Sequence, residues 1–182
     1  DFSVDEHPRR DATAEKRAAL KVLHPEIEGF AITAGNSSGT NDACAAVAVV
    51  DRAYAAAEKL TVMATVKAWA AAGVPPRDTG LGAVKAIAKV LERAGLKPSD
   101  VALWEVNEAF AAVPIAACRE FGLDEELVNF SGSGCSLGHP IAASGARMVT
   151  TLIYELQRRG GGIGVAAMCA GGGQGGAVII EV

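Results

Sequence analysis

Apolar and polar positions form blocks along most of the chain, and these blocks predict strands that alternate with helices. Short apolar runs rich in β-branched residues predict strands at 30–34, 60–69, 101–106, 163–169 and 177–182. Longer stretches with helical spacing or helix-forming composition predict helices at 43–59, 81–94, 108–121 and 140–158. This alternation predicts a layered α/β domain, and its sheet is expected to be mixed because the last two strands form a hairpin.

The first 27 residues differ from the rest of the chain. They carry many charged side chains, and no strong apolar stripe follows the possible helix start at Thr13. The sequence therefore predicts a polar lead-in arm at 1–27 and one domain at 28–182.

Composition narrows the class of protein. The 182 residues include 17 Lys+Arg and 21 Asp+Glu, a net charge of −4 that argues against a nucleic-acid-binding face. With 50% hydrophobic and 21% charged residues, disorder over most of the chain is not expected. The 36 Ala and 21 Gly predict closely packed backbones, and the mean hydropathy of +0.24 suggests an apolar surface that a partner covers.

Cysteine spacing and the chain ends suggest the compartment. The four Cys form no CxxC pair and the three His show no zinc spacing, so we expect reduced thiols, no metal site and a cytoplasmic location. The longest uncharged stretch, 160–180, contains nine Gly and is not typical of a membrane helix. The first ten residues do not resemble a signal peptide. The chain does not begin with Met, so it is expected to be a processed product, a fragment or one piece of a longer protein.

A glycine-rich segment follows Cys169 at the end of a predicted buried strand. It lacks the following helix that a dinucleotide-binding loop requires. One remaining interpretation is a tight hairpin with a structural Cys. The other is a thiol beside backbone N–H groups that stabilise an oxyanion.

Two further polar residues stand where strands or glycine loops end. His139 lies between Gly138 and Pro140 at a predicted helix start, where a neutral ring suits proton acceptance. Asn107 follows the third strand, at the sheet edge where α/β proteins bind ligands. Taken singly, the His is also compatible with a surface or capping role, and the Asn with a helix N-cap.

Four motifs occur in order along the chain. They are Thr33-Ala-Gly-Asn-Ser-Ser-Gly-Thr-Asn-Asp, Asn107-Glu-Ala-Phe, Gly138-His-Pro with Ser144-Gly-Ala-Arg147, and Cys169-Ala-Gly-Gly-Gly. Together they resemble the C-terminal half of the thiolase family, and Asp5-Glu-His-Pro-Arg resembles its lead-in. The resemblance covers about Asp5 to Val182. It implies a thiolase-type C-terminal domain, a five-stranded mixed sheet with helices on both faces, packed against an equivalent N-terminal domain.

The resemblance also implies an activity and four catalytic positions. Thiolases interconvert a 3-ketoacyl-CoA plus CoA with acetyl-CoA plus a shortened acyl-CoA, using a nucleophilic Cys. His139 matches the base that activates this nucleophile, and Cys169 matches the thiol that moves protons at the acetyl α-carbon and the leaving sulfur. Asn107 matches the residue that holds a water and forms one oxyanion hole with the His. Gly171, through its backbone N–H, matches a donor of the other oxyanion hole.

Substrates and partners follow from the same resemblance. Ser38 and Ala34 match positions that line the pantetheine tunnel, so coenzyme A thioesters are the expected substrates and no resident cofactor is implied. The nucleophilic Cys belongs to the N-terminal half, which is expected as a partner on the same protein or on a separate chain. This chain alone is therefore expected to be inactive. The complete enzyme is expected to be a homo-oligomer in fatty-acid and lipid metabolism.

Some positions depart from the family pattern, and two alternatives stay open. Cys44, Cys118 and Cys135 lie in no motif that would replace the nucleophile. The loop before the His has Ser131-Gly-Ser-Gly where the family has Asn-Gly-Gly, and Ala83 replaces the usual Pro. A ketosynthase-type condensing enzyme shares the fold, but it would be expected to carry two His. A catalytically idle binding subunit is the non-enzyme alternative. Acyl chain length and reaction direction are left open.

Overall fold

The computed structural model describes residues 3–4 and 7–182, so Asp5 and Glu6 of the lead-in motif lie outside the described residues. Its helices, numbered in chain order, are α1 (Ala14–Ala18), α2 (Arg52–Ala57), α3 (Leu81–Ala94), α4 (Ala112–Phe121), α5 (Gly134–Leu137) and α6 (Ile141–Arg158). Its strands are β1 (Thr65–Gly73), β2 (Leu103–Val106), β3 (Ile163–Ala170) and β4 (Gln174–Glu181). Short 3-10 helices lie at Ala34–Asn36, Pro76–Asp78, Pro98–Asp100 and Glu125–Leu127.

The strands form one mixed sheet in the order β1-β4-β3-β2. Strand β2 runs parallel to β3, whereas β4 runs antiparallel to both of its neighbours. The predicted closing hairpin is confirmed: β3 and β4 are joined by a glycine turn in which Gly172 and Gly173 have φ angles of 82° and 86°. Since these values lie in the left-handed region, glycine suits the turn.

The prediction of five strands is wrong for the described residues, which contain four. Residues 30–34 do not form a strand. Thr33 makes a single bridge to Val22, and its side chain and that of Asn36 cap a 3-10 turn. Local side-chain capping therefore satisfies backbone groups that a strand would have paired. At the far edge of the sheet, Val128 makes only one parallel bridge to Trp104.

The predicted helix at 43–59 is also wrong over most of its length. Only α2 is helical, and Asp51 fixes its start by accepting a hydrogen bond from the Ala53 N–H at 2.7 Å. Residues 40–51 have no regular secondary structure, although the stretch contains four alanines beside its three valines, so intrinsic helix propensity does not explain the difference. The next strand begins at Thr65 and continues to Gly73, through residues predicted as a loop, because β4 pairs with it along this length.

Helices cover both faces of the sheet, as predicted. On one face, α3 and α4 pack over Trp104, Val165 and Ile179. On the other face, α6 packs over Leu103 and Ile180, with Met148, Leu152 and Leu156 buried at the predicted helical spacing. Because side chains alternate along a strand, the neighbours Leu103 and Trp104 point to opposite layers. Two separate hydrophobic clusters therefore hold the carboxyl ends of β2 and β3 in place.

Helix α3 approaches β4 unusually closely. A Cβ atom added to Gly175 would overlap the backbone of Gly82, and one added to Gly82 would overlap the backbone of Gln174. Both positions must be glycine for this contact to form. The atoms that a Cβ would meet are backbone atoms, and backbone atoms cannot move aside as the end of a flexible side chain can. The many Ala and Gly residues of the sequence predicted closely packed backbones, and the contact of α3 with β4 is one such place.

Candidate active site

Asn107 is held at the carboxyl edge of the parallel pair β2 and β3. Its backbone N–H donates to the Ala167 carbonyl of β3 at 2.9 Å, and the residue is fully buried. The side-chain nitrogen Nδ2 faces His139. The side-chain oxygen Oδ1 is buried and has no hydrogen-bond partner within residues 3–4 and 7–182. A buried acceptor left unpaired costs about 1–3 kcal/mol, so this oxygen is a candidate for binding a water or a substrate group.

His139 lies in the loop just before α6, and its ring contacts the Asn107 side chain. Its backbone N–H donates to Asn41 Oδ1 at 3.1 Å, and Gly138 before it has a φ of 95°. The ring nitrogen Nε2 lies 3.2 Å from Asn107 Nδ2, and Nδ1 lies 2.6 Å from Ser144 Oγ. The structure therefore brings together two of the sequence-predicted residues, His139 and Asn107, and adds Ser144.

The environment of His139 favours the uncharged ring. Burial is the main cause that lowers its pKa below the ordinary histidine value, and the positive charge of Arg147 lowers it further. A neutral imidazole has a lone pair available at neutral pH. It can therefore accept a proton, which is the property that a general base requires.

An ion pair lies behind this contact. Arg147 Nη1 donates to Glu105 Oε2 at 2.7 Å, and the Glu105 side chain is completely buried. Burial raises the pKa of Glu105 to about 7, although the nearby Arg147 opposes this shift. Glu105 Oε1 and Arg147 Nη2 are buried without partners in the described part of the chain. Glu105 precedes Asn107 by two positions, so both lie on one face of the strand. Arg147 follows Ser144 by three positions, so both lie on one face of α6. The ion pair therefore joins the strand and the helix that carry the site.

The turn after Asn107 is fixed by hydrogen bonds from the glycine-containing loop at 129–139. Asn129 pairs with the backbone of Val106, accepting from its N–H and donating to its carbonyl at 2.8 Å each. Glu108 accepts from Asn129 Nδ2 and from the Cys135 N–H, both at 3.1 Å. The Ser133 hydroxyl accepts from the Glu108 N–H at 3.3 Å. These bonds hold the turn rigidly, so Asn107 does not depend on its own side chain for position.

Cys169 does not join the Asn107–His139 contact. Its residue surface is 6% exposed, and it packs in the cluster beneath α3 and α4. Burial raises the pKa of its thiol. Among the described residues, no hydrogen bond links its sulfur to His139 or Asn107. Cys169 shares the strand face of Val165 and Ala167. Convergence of Cys169 with His139 stays a prediction.

The remaining sequence-predicted positions lie on two segments near the same edge. Gly171 is exposed in the β3–β4 turn, and a Cβ atom added there would meet nothing within 4 Å. Ala34 lies in the 3-10 turn. The Ser38 N–H donates to the Ala109 carbonyl at 3.0 Å, which places Ser38 beside the turn that follows Asn107. Their roles in catalysis and substrate binding stay predictions.

Sequence reasoning missed several residues that support the site. Asn41 accepts a hydrogen bond from the His139 backbone N–H, a contact that the sequence analysis does not predict. Ser144 and Arg147 were noted only as part of a motif. Their spacing of three on a predicted helix is the signal that places both on one face, and it could have identified them. No comparable signal marks Asn129 or Ser133, whose contacts depend on how the loop folds.

The described residues contain neither a metal-binding cluster nor a membrane-spanning helix. No three His, Cys, Asp or Glu side chains in that part of the chain are grouped so that they could hold a metal ion. The same residues contain no helix with the length and apolar character needed to cross a membrane.

Comparison with known proteins defines the class. Residues 60–182 match the family described as the thiolase C-terminal domain. The chain is 46% identical over 181 residues to acetyl-CoA acetyltransferase of Escherichia coli, covering 99% of this chain and 45% of that protein. It is 43% identical to 3-ketoacyl-CoA thiolase of Bacillus subtilis, covering 100% and 46%. The chain therefore belongs to the thiolase family, and it spans a little under half the length of these relatives.

Solved structures agree with the sequence comparison. Acetyl-CoA acetyltransferase of Bacillus anthracis superposes with a TM-score of 0.85 at 43% identity, covering 99% of this chain and 45% of that one. Human mitochondrial 3-ketoacyl-CoA thiolase in complex with CoA gives 0.86 at 37% identity, with the same coverage. These similarities favour the thiolase interpretation over the ketosynthase alternative.

Proposed function

We propose that this chain supplies the proton-transfer half of a thiolase active site. The observation that carries the proposal is the contact of His139 Nε2 with buried Asn107 at 3.2 Å, at the carboxyl edge of β2 and β3. The enzyme interconverts a 3-ketoacyl-CoA plus CoA with acetyl-CoA plus a shortened acyl-CoA. A Cys from a thiolase N-terminal half is the nucleophile and forms the thioester.

In this proposal His139 takes the proton of that nucleophilic thiol. Its lowered pKa supports the role, because an uncharged ring can accept a proton at neutral pH. His139 and a water held by Asn107 Oδ1 then stabilise the negative charge on the thioester oxygen. The unpaired, buried state of that oxygen supports the presence of such a water.

Cys169 and Gly171 complete the proposed chemistry. The raised pKa of the Cys169 thiol means that it is protonated at neutral pH, so it is suited to donate a proton to the acetyl α-carbon or to the leaving sulfur. The exposed Gly171 leaves its backbone beside open space, which would suit a carbonyl oxygen. We propose that Cys169 and the Gly171 N–H face His139 across the space that the thioester carbonyl occupies. Ser38 and Ala34 would then line the path of the pantetheine arm.

The proposed partner is a thiolase N-terminal half. The chain spans 45% of its E. coli relative, and large apolar side chains are exposed between residues 47 and 69. These are Val47, Val49, Val50, Leu60, Val62, Met63, Val66 and Trp69. Since soluble proteins seldom expose so continuous an apolar stretch, we propose that the N-terminal half covers it, in an interface above ~2,000 Å².

Membership of the thiolase family also supports broader proposals about the complete enzyme. We propose that it is a homo-oligomer, that it acts on coenzyme A thioesters without a resident cofactor, and that it works in cytoplasmic fatty-acid and lipid metabolism. These statements rest on the family rather than on any contact of the described residues.

Co-expression with a thiolase N-terminal half tests the function. The complex is expected to cleave acetoacetyl-CoA with CoA, whereas each half alone should match buffer. His139→Ala in the complex should slow formation of the acyl-enzyme, and Lys85→Ala on the exposed surface of α3 is the control. Turnover by this chain alone would contradict the proposal. So would an inactive complex that is shown to be correctly assembled.

A binding subunit without catalysis is the second candidate. It is favoured by the burial of Cys169, which raises the pKa of its thiol. This alternative predicts that the assembled complex binds acetyl-CoA, measured by calorimetry, but shows no burst of acylated nucleophile in the mass spectrum. Acylation of the nucleophile would exclude it.

A further inference from the structure

We infer that Ser144 is a positioning residue that fixes the tautomer of His139, with the proton on Nδ1 and the lone pair on Nε2. Ser144 lies in the first turn of α6 and is 2% exposed. Its hydroxyl oxygen is 2.6 Å from Nδ1, the shortest polar contact that the ring makes. The partner of one ring nitrogen determines which nitrogen carries the proton.

The surroundings of the Ser144 hydroxyl favour one direction for this bond. The hydroxyl has one proton, and its oxygen lies 3.1 Å from the Pro140 carbonyl, which can only accept and which also accepts from the Ala143 and Ser144 N–H groups. In this arrangement the hydroxyl donates to Pro140, so its oxygen accepts from the His139 ring and Nδ1 carries the hydrogen.

The contact on the other side of the ring fits the same tautomer. Asn107 Nδ2 is a donor only, and it lies 3.2 Å from Nε2 and 3.4 Å from Nδ1. An amide N–H directed at the nearer nitrogen, Nε2, needs a lone pair there. In the opposite tautomer, an Nε2–H group would face the amide N–H groups, and the Ser144 hydroxyl would donate to Nδ1 instead of Pro140.

The assignment separates two roles on one ring. Nδ1 is committed to the helix, while Nε2 faces the buried amide where chemistry is proposed. When Nε2 gains a proton, Nδ1 keeps its hydrogen and its bond to Ser144, and the Asn107 N–H must turn away from Nε2. That this proton comes from the nucleophile rests on the proposed function. The tautomer itself does not.

Nitrogen-15 NMR of the full chain measures the tautomer directly. The chain is labelled at histidine, and a His139→Asn variant identifies the His139 signals among those of His7 and His24. In the uncharged ring, the wild-type spectrum should show Nδ1 bonded to hydrogen and Nε2 as the unprotonated nitrogen. Free histidine favours the reverse arrangement, so a spectrum dominated by an Nε2–H ring would overturn the inference.

Variants of α6 separate a positioning role from a structural one. Ser144→Ala should move the ring toward the Nε2–H form, and Ser144→Thr, which keeps a hydroxyl, should retain Nδ1–H. Thr150→Val is the matched control, because Thr150 donates to the Ala146 carbonyl at 2.9 Å in the same helix without contacting the ring. An unchanged ring spectrum in Ser144→Ala, with native amide signals, would refute the role. If Ser144→Ala does not fold, the wild-type and Ser144→Thr spectra decide.

Kinetics in the complex with a thiolase N-terminal half give a second measurement. Ser144→Ala is expected to lower kcat by about 10- to 100-fold with little change in KM, as for other groups that orient a reactive histidine. Ser144→Thr should restore most of kcat. If the wild-type complex is inactive, the proposed function fails, and the NMR measurement still decides the tautomer. A raised KM with unchanged kcat would contradict the positioning role.

Discussion

Arg147 on α6 donates to Glu105 on β2 at 2.7 Å, and the Glu105 side chain is completely buried whereas that of Arg147 is 25% exposed. The Arg147 charge does more than hold a helix against a sheet. It favours the neutral ring of His139 at the same time. Structure and proton affinity are therefore coupled through one guanidinium group.

Removal of the Arg147 charge is expected to raise the pKa of His139. In Arg147→Met the electrostatic cause disappears, while burial still keeps this pKa below the ordinary histidine value. An NMR titration of the ring measures the change. In an active complex, the acid limb of the kcat/KM profile should move to higher pH.

The matched control is Arg158→Met. Arg158 pairs with Glu155 on the same helix, but its side chain is 70% exposed, and it should leave the His139 titration unchanged. Equal pKa values in wild type and Arg147→Met would show that the guanidinium does not act on the ring. Because Arg147→Met also leaves Glu105 unpaired, the double variant with Glu105→Gln distinguishes a charge effect from a packing effect.

Glu105 is expected to make stability fall as pH rises. Folding raises the pKa of Glu105 from 4.5 to about 7, so the folded chain favours the protonated carboxyl. This stabilisation is fully present below the unfolded pKa and is lost as the pH rises through about 7. Relative to Glu105→Gln, wild type should lose about 3 kcal/mol of unfolding free energy between about pH 4 and about pH 8.

Urea denaturation of both proteins at a series of pH values provides the measurement. Subtracting the Glu105→Gln curve removes the contributions of other carboxyl groups. Parallel curves over the whole range would mean that Glu105 keeps its ordinary pKa, or that Arg147 holds it ionised throughout.

A methyl group at position 175 is expected to destabilise the chain. The Cβ of Gly175→Ala would overlap the backbone of Gly82, so α3 must move away from β4 at a cost of about 1–3 kcal/mol. Gly176→Ala is the control, because its Cβ would meet nothing within 4 Å. Chemical denaturation should separate the two variants. Equal midpoints would show that the close approach of helix and strand carries no energetic weight.

The four thiols are expected to react at different rates. Cys44 is exposed, whereas burial raises the pKa of Cys169, and burial together with Glu108 raises that of Cys135 to about 11. Since the thiolate is the reactive form, iodoacetamide at neutral pH should modify Cys44 first and Cys169 among the last. Peptide mass spectrometry over time gives the order. Early modification of Cys169 would mean that its thiol is already accessible and ionised in the chain alone.

The parts of the fold that depend on long-period patterns were predictable. Helices α3 and α6 follow their apolar stripes, and the closing hairpin follows its glycines. Residues 30–34 and 43–51 were predicted wrongly for a shared reason. Both are apolar runs whose conformation depends on a capping residue and not on the apolar pattern. Thr33 caps a 3-10 turn at the end of the first run, and Asp51 starts α2 at the end of the second. Local composition cannot report such competition.

The candidate site divides in the same way. Asn107 and His139 could be placed together because strand ends and helix starts share an edge of the sheet. That Cys169 joins them stays a prediction, because one step along a strand changes the face to which a side chain points. Asn41 binds His139 from 98 residues away, and no sequence period marks so distant a partner.

Asn107 and His139 are in contact, but their backbones are hydrogen-bonded to different parts of the molecule, which we expect to unfold locally at different temperatures. Asn107 is tied to β3 inside the sheet, whereas the His139 backbone is tied to Asn41, which precedes a stretch with no regular structure. Backbone of that kind opens by local fluctuations that cost less than global unfolding. On gentle warming, the His139 backbone N–H should therefore lose its bond to Asn41 while sheet amides are still protected from exchange. A partner that clamps residues 40–51 would make this bond more resistant to heat, and because it binds only the folded chain it would stabilise the domain as well.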